Sequence, residues 1–247
     1  MKIALIQLNA SDDPFWSGEC IPALLDAAAG ADLAIFPECM PFYLTGKKTI
    51  SQECAEDILA RFSSEKIAMI AGGYVRQGQE IKNGAFLAKN GSILGRYFKR
   101  KIWRGEKFTP GDAGVKFEWG KHSCIPLICA DAGDNPSPSG TQMMAEALAL
   151  GAGKNVPIVI PSYGAGLMKP YWHEPLSLWA KGTGAPVAIC GVAGKSKNTY
   201  FEGGRSQHYG GGGSAVFWPD GSVSKQSSKR GIYVVDTTRR SLEFRDL

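Results

Sequence analysis

The chain has 247 residues, 44% hydrophobic and 21% charged, with a formal net charge of +5. That length allows one large domain or two small ones with a sizeable core, and no compositional break marks a linker, so one domain over 1–247 is expected. Lysines and arginines are interleaved with acids from end to end, so the excess reads as solvation and gives no nucleic-acid footprint.

The first apolar run, 2–9, is too short for a signal peptide core or a bilayer span and reads as a buried strand; the expected compartment is the cytoplasm, with no membrane partner. A loop with Pro14 and Trp16 and a helix around 21–29 follow. The apolar run 31–36 then meets Pro37, which cannot continue a ladder, and Glu38 comes next at the strand's carboxyl end. Residues 51–66 carry Ala55, Ile58, Leu59 and Phe62 at helical spacing, and 67–75 reads as another buried strand. The pair Asn90-Gly91 between apolar arms 85–89 and 92–97 signals a tight hairpin. Its second arm runs into 97–107, where Lys99 and other basic residues alternate with aromatics.

The run 124–129 has strand length and ends in Cys129, a sulfur where an α/β sheet opens into its crevice. A Gly/Asn/Pro/Ser loop precedes a helix over 141–150, closed by Gly151 and Gly153. Strands are expected at 156–160 and 187–192, with a short helix at 176–181 between them. The glycine run 210–213 leads to an arm at 214–218, a Pro219-Asp220-Gly221 turn and a last strand at 231–236. Continuous apolar strands alternating with helices and hairpins argue an α/β fold of mixed sheets covered by helices.

Six cysteines, Cys20, Cys39, Cys54, Cys124, Cys129 and Cys190, are too dispersed for a disulfide framework, and free thiols are expected. No C-x-x-C occurs and His122, His173 and His208 stand far apart, so no metal and no cofactor is expected. Residues 151–155 lack the first glycine and the Ser/Thr of a P-loop, and no Gly-x-Ser-x-Gly elbow is present.

Glu38, Lys99 and Cys129 stand in order within Ile35-Phe36-Pro37-Glu38, Gly95-Arg96-Tyr97-Phe98-Lys99 and Leu127-Ile128-Cys129-Ala130-Asp131. In these segments the chain resembles the nitrilase superfamily of carbon–nitrogen hydrolases, whose hallmark is a Glu-Lys-Cys triad in that order. The resemblance continues through Glu106 with Phe108, Pro110 and Gly111, through Pro161-Ser162 and Trp172, and through Gly213-Ser214-Ala215. It implies a four-layer αββα sandwich of two mixed β-sheets and assembly into a homodimer or higher homo-oligomer through a helical face. It further implies Cys129 as nucleophile, Glu38 as general base and acid, Lys99 as oxyanion stabiliser helped by the Ala130 N–H, and Glu106 as a second active-site acid. Those residue types belong together because a neutral thiol and an unreactive amide need a base and a positive charge at the developing oxyanion.

Tyr163, Trp172 and His173 are the candidates for lining a substrate pocket. No Lys or Arg lies between Cys129 and Lys154, which weighs against a carbamoyl substrate bearing a carboxylate. The expected partner is a small-molecule amide; a nitrile or N-carbamoyl substrate, or acyl transfer from the thioester, are the alternatives. Lys181-Gly182-Thr183-Gly184-Ala185 departs from the family pattern, and the helix there is expected to end early and loosely. A different class of function, single-stranded nucleic-acid binding, would use the aromatic and basic residues of 97–107.

Overall fold

The computed structural model describes residues 1–9, 20–42, 49–103, 106–133, 138–163, 169–198, 207–210, 212–225 and 227–247, with the backbone alone at 138–140, 169–172, 195–198 and 207–210. The amino-terminal half contains β1 (Lys2–Gln7), α1 (Cys20–Ala27), β2 (Leu33–Ile35), β3 (Pro41–Phe42), β4 (Ile50–Ser51), α2 (Gln52–Phe62), β5 (Ala68–Gln77), β6 (Glu80–Lys89) and β7 (Ser92–Phe98). There follow β8 (Phe117–Trp119), β9 (His122–Pro126), a 3₁₀ turn (Cys129–Asp131), α3 (Pro138–Ala149), β10 (Ile158–Pro161), α4 (Lys169–Thr183) and β11 (Val187–Cys190). The chain closes with β12 (Lys195–Asn198), β13 (Gln207–Gly210), β14 (Ala215–Phe217), β15 (Gly231–Asp236) and β16 (Ser241–Arg245).

Two mixed sheets form the body. The larger has the order β16-β15-β1-β2-β5-β6-β7, with β3 and β4 also pairing to β5, and its β1, β2 and β5 run parallel. The smaller has the order β14-β11-β10-β9-β8, with β9, β10 and β11 parallel. A separate ribbon pairs β12 with β13.

The strands are apolar throughout because both faces are covered. In β1, Ile3 and Leu5 join a cluster with Ile125, Ile158 and Ile189 of the smaller sheet, while Ala4 and Ile6 join Leu24 of α1 and Leu59 of α2. The period of two recurs in β2 and β5, so α1 and α2, the larger sheet, the smaller sheet, and α3 and α4 stack as four layers of an α/β sandwich. Among the described residues no helix is long and apolar enough to cross a membrane.

Three expectations need correction. The strand before Cys129 ends at Pro126, and Cys129 lies on the 3₁₀ turn beyond it. The helix expected at 176–181 spans Lys169–Thr183 with Pro175 inside, and its end is closed by the Thr183 hydroxyl, which donates to the Trp179 carbonyl at 2.7 Å; it is neither short nor loose. The last strand is β16, which pairs with β15 through a turn where Arg240 adopts φ +57°.

Candidate active site

The crevice lies where β2, β9 and β10 end at their carboxyl edges, with β7 delivering its own end to the same place. Glu38 leaves β2 through Pro37, and Cys39 behind it takes the left-handed conformation at φ +65°. The Glu38 side chain is buried: its Oε1 accepts from Lys99 Nζ at 2.8 Å and from Asn83 Nδ2 at 2.9 Å, and its Oε2 accepts from the Tyr163 N–H at 3.2 Å.

Lys99 follows β7 directly and has no solvent exposure. Its Nζ donates to Glu38 and also lies 2.8 Å from each oxygen of Glu106. Glu106 is held in turn by the Trp103 N–H at 2.9 Å and the Tyr74 hydroxyl at 3.3 Å, and the Phe108 ring sits 5.6 Å from the Lys99 ammonium. One ammonium therefore stands between two carboxylates in a water-poor site.

Cys129 is partly accessible while Ile128 and Ala130 on either side are buried. Its φ of +44° is a conformation that L residues other than Asn and Asp seldom adopt, a backbone outlier of the kind that clusters at functional sites. Ser162, just past β10, donates its hydroxyl to Cys129 Sγ at 3.5 Å, and the next residue's N–H binds Glu38. Ser162 and Tyr163 thus bring the sulfur and the Glu38 carboxylate together.

Electrostatics sets the protonation states. Burial pushes the Cys129 thiol well up, the Glu38 charge adds to that, and Lys99 opposes it, so the thiol is protonated at rest. Burial by itself would lower Lys99, but the Glu38 and Glu106 carboxylates beside it oppose that and hold the ammonium well above its usual value. Glu106 is raised by burial, against the pull of Lys99. The neighbouring Cys39 thiol is buried and is raised by burial and by Glu38. Among the described residues no group of three or more His, Cys, Asp and Glu side chains could hold a metal ion.

Glu38, Lys99 and Glu106 are thus in direct contact, with Cys129 joined through Ser162 and Tyr163. Ala130 is buried in the turn after the sulfur. Tyr163 contributes its backbone N–H and is itself buried. His173 on α4 places its ring edge-on to Phe217 of β14 at 5.2 Å. The Trp172 side chain lies outside the described residues. Asn83, Ser162, Tyr74 and the contacts of Asp131 escape sequence reasoning: Asn83 sits mid-strand in β6, where only the fold shows that it faces Glu38. For Ser162, the family-like Pro161-Ser162 pair just past a strand end was an available signal, though it carried no role.

The family model for carbon-nitrogen hydrolases matches residues 2–242. None of the curated proteins matches the chain. Among solved structures, one that matches shows acrylamide added at the active-site cysteine of a glutamate-to-glutamine variant of the amidase from Nesterenkonia sp. AN1. It is 25% identical, covers 96% of this chain and 92% of that one, and has a TM-score of 0.73. A cysteine-to-alanine variant of the same amidase, described as belonging to the nitrilase superfamily, matches at 25% identity over 96% of this chain and 90% of that one, TM-score 0.71. A CN-hydrolase superfamily protein from Xanthomonas campestris with an arsenic adduct in its active site shares the fold at 19% identity, covering 95% and 89% of the two chains, TM-score 0.71.

Proposed function

The chain belongs to the carbon-nitrogen hydrolase family, and from that premise we propose that it cleaves a small amide to a carboxylate and ammonia through a thioester on Cys129. The observation that carries this reading is the Lys99 ammonium held at 2.8 Å by both Glu38 and Glu106 beside the strained Cys129 turn.

With a neutral thiol the four groups carry one net negative charge, and releasing the thiol proton to water would raise that to two in a buried site. Passing the proton to Glu38 leaves the total unchanged. Glu38 is therefore the base as Sγ attacks the carbonyl carbon. The carbonyl oxygen becomes an oxyanion, stabilised by Lys99 and the Ala130 N–H. An ammonium has only three protons, and three carboxylate oxygens already surround it, so the oxyanion must displace one contact. The second contact to Glu106 is the one to give, because Trp103 and Tyr74 still satisfy that carboxylate. Collapse breaks the C–N bond as Glu38 returns the proton to departing ammonia. Water then attacks the thioester with Glu38 again as base, the C–S bond breaks, and the thiol recovers its proton as the carboxylate leaves.

The Nesterenkonia amidase, whose active-site cysteine takes up acrylamide, supports a small amide as the substrate class. The absence of Lys and Arg from 130–153 weighs against carbamoyl substrates bearing a carboxylate. The nucleic-acid reading loses its platform, since Tyr97 and Lys99 are buried and engaged with Asp131 and the two glutamates.

The test is ammonia release from short aliphatic amides, ω-amides, carbamoyl compounds and nitriles, with intact-mass detection of the acyl adduct. Cys129→Ala should lose both signals. Ammonia release that survives the substitution removes Cys129 as nucleophile, and turnover of nitriles alone replaces the amide reading.

A further inference from the structure

The proposed catalytic groups come from different sheets: Glu38 and Lys99 follow strands of the larger sheet, Cys129 and Ser162 strands of the smaller. An acyl centre held between Sγ and the Lys99 ammonium needs their separation fixed, because a misplacement of about 1 Å costs on the order of 10²-fold in rate. Packing of two sheets through aliphatic side chains does not by itself fix the register of their loops. Polar contacts across the gap can fix it, and besides the Tyr163 N–H on Glu38 one buried carboxylate ties the lysine segment directly to the nucleophile turn.

Asp131 is 1% exposed, two residues past the sulfur. Its Oδ1 accepts from the backbone N–H of Arg100 at 3.0 Å and of Lys101 at 2.8 Å, the two residues after Lys99. Its Oδ2 accepts from the Ile128 N–H at 3.0 Å and from the Tyr97 hydroxyl at 2.7 Å, Tyr97 being two residues before Lys99. The carboxylate thus grips the lysine segment on both sides of Lys99 and closes the left-handed turn that carries Cys129. Burying a carboxylate is costly, and four donors aimed at it are what that requires.

We propose that Asp131 is the positioning residue that sets the Cys129 to Lys99 spacing, clamping the nucleophile turn of one sheet to the lysine arm of the other. This rests on the thiol-hydrolase reading above. No group other than a carboxylate of this length satisfies all four donors. With Asp131→Asn, the side-chain amide would present N–H to either the Ile128 N–H or the pair at 100 and 101, and one side of the clamp would open.

The experiment compares wild type, Asp131→Asn and Tyr97→Phe in two assays: steady-state amide hydrolysis, and the rate of iodoacetamide alkylation of Cys129 followed by intact mass with peptide mapping. Asp131→Asn should lower kcat about 10- to 100-fold with KM changed less than about threefold, and slow alkylation by about tenfold. Tyr97→Phe removes one of four donors and should lower kcat by roughly three- to tenfold at unchanged KM. A folded Asp131→Asn protein with kcat and alkylation within about threefold of wild type, or one that loses only KM, overturns the proposal. If Asp131→Asn does not fold, Tyr97→Phe decides, and an unchanged kcat overturns it. The alkylation assay needs no substrate, so a wild-type chain silent on every amide counts against the hydrolase reading while the clamp is still judged.

Discussion

At the scale of single residues, the governing fact is that one ammonium serves two buried carboxylates. Removing it leaves like charges facing each other with no compensation, which costs about 3–5 kcal/mol for a broken buried pair. Lys99→Met should therefore be inactive and destabilised by about that amount. Glu106, raised by burial and then without the opposing pull of Lys99, would bind a proton in the folded state, so the lost stability returns as pH falls; its urea midpoint should be higher near pH 5 than near pH 8. A midpoint that does not move with pH denies the charge argument. The raised Cys129 thiol makes a second prediction: alkylation should keep accelerating beyond the ordinary thiol value of about 8.5, and a plateau below about pH 7 would mean a resting thiolate instead. Asn83 supplies a third. Its Nδ2 serves Glu38 while its buried Oδ1 has no hydrogen-bond partner, and a cavity of about 10 Å³ adjoins it, lined also by Glu38, Gly72 and Pro161. That is room for one water, which a crystal structure should show about 2.7–3.2 Å from Oδ1.

At the scale of elements, the hairpin that carries Lys99 depends on local chemistry. Asn90 and Gly91 both take positive φ, +48° and +70°, as a tight turn between right-twisted strands requires. A register irregularity between Leu87 and Ala88 then re-aims the arm before it reaches Lys99. Gly95 in the same arm lets β7 approach the smaller sheet: a Cβ there would lie 2.6 Å from the Phe117 ring. Gly95→Ala should cost about 1–3 kcal/mol by overpacking and depress activity beyond its effect on stability, because Lys99 lies four residues on. Chemical denaturation beside kcat checks both. Elsewhere, Ser51 caps α2 by accepting from the Cys54 N–H at 3.2 Å; Ser51→Ala should lose about 1 kcal/mol and leave kcat unchanged, since that cap bond involves none of the proposed catalytic groups.

At the scale of the whole molecule, the site exists only while the sheets stay packed, since Glu38, Lys99, Cys129 and Ser162 come from both. Trp119 and Trp179 lie in the cluster that joins the sheets. Tryptophan fluorescence and hydrolytic activity should therefore fall together in urea, with one midpoint. Activity lost at clearly lower urea would mean that the crevice opens before the sheets part. Leu148 of α3 and Leu178 of α4 are exposed on the outer helical layer, and light scattering on the purified chain tests the self-association that the family resemblance implies.

Along the chain, the elements and the three key residues are legible because each rests on local signals: continuous apolar runs for doubly covered strands, Asn-Gly for the hairpin, Pro37 before Glu38, and an ordered set of motifs around Lys99 and Cys129. What cannot be read is anything decided by residues meeting across 30 to 220 positions, such as Asn83 on Glu38, Asp131 on the backbone after Lys99, or Gln7 binding the Ser227 carbonyl. Sequence signals cut α4 short because Pro175 and the glycines near its end mask a helix that tertiary packing of Leu176 and Trp179 sustains. Local propensity and motif order thus determined which groups the chain brings to its crevice. Only the packing of two sheets decided how far apart they stand, because hydrogen-bond partners buried between layers are chosen by space and not by sequence neighbours.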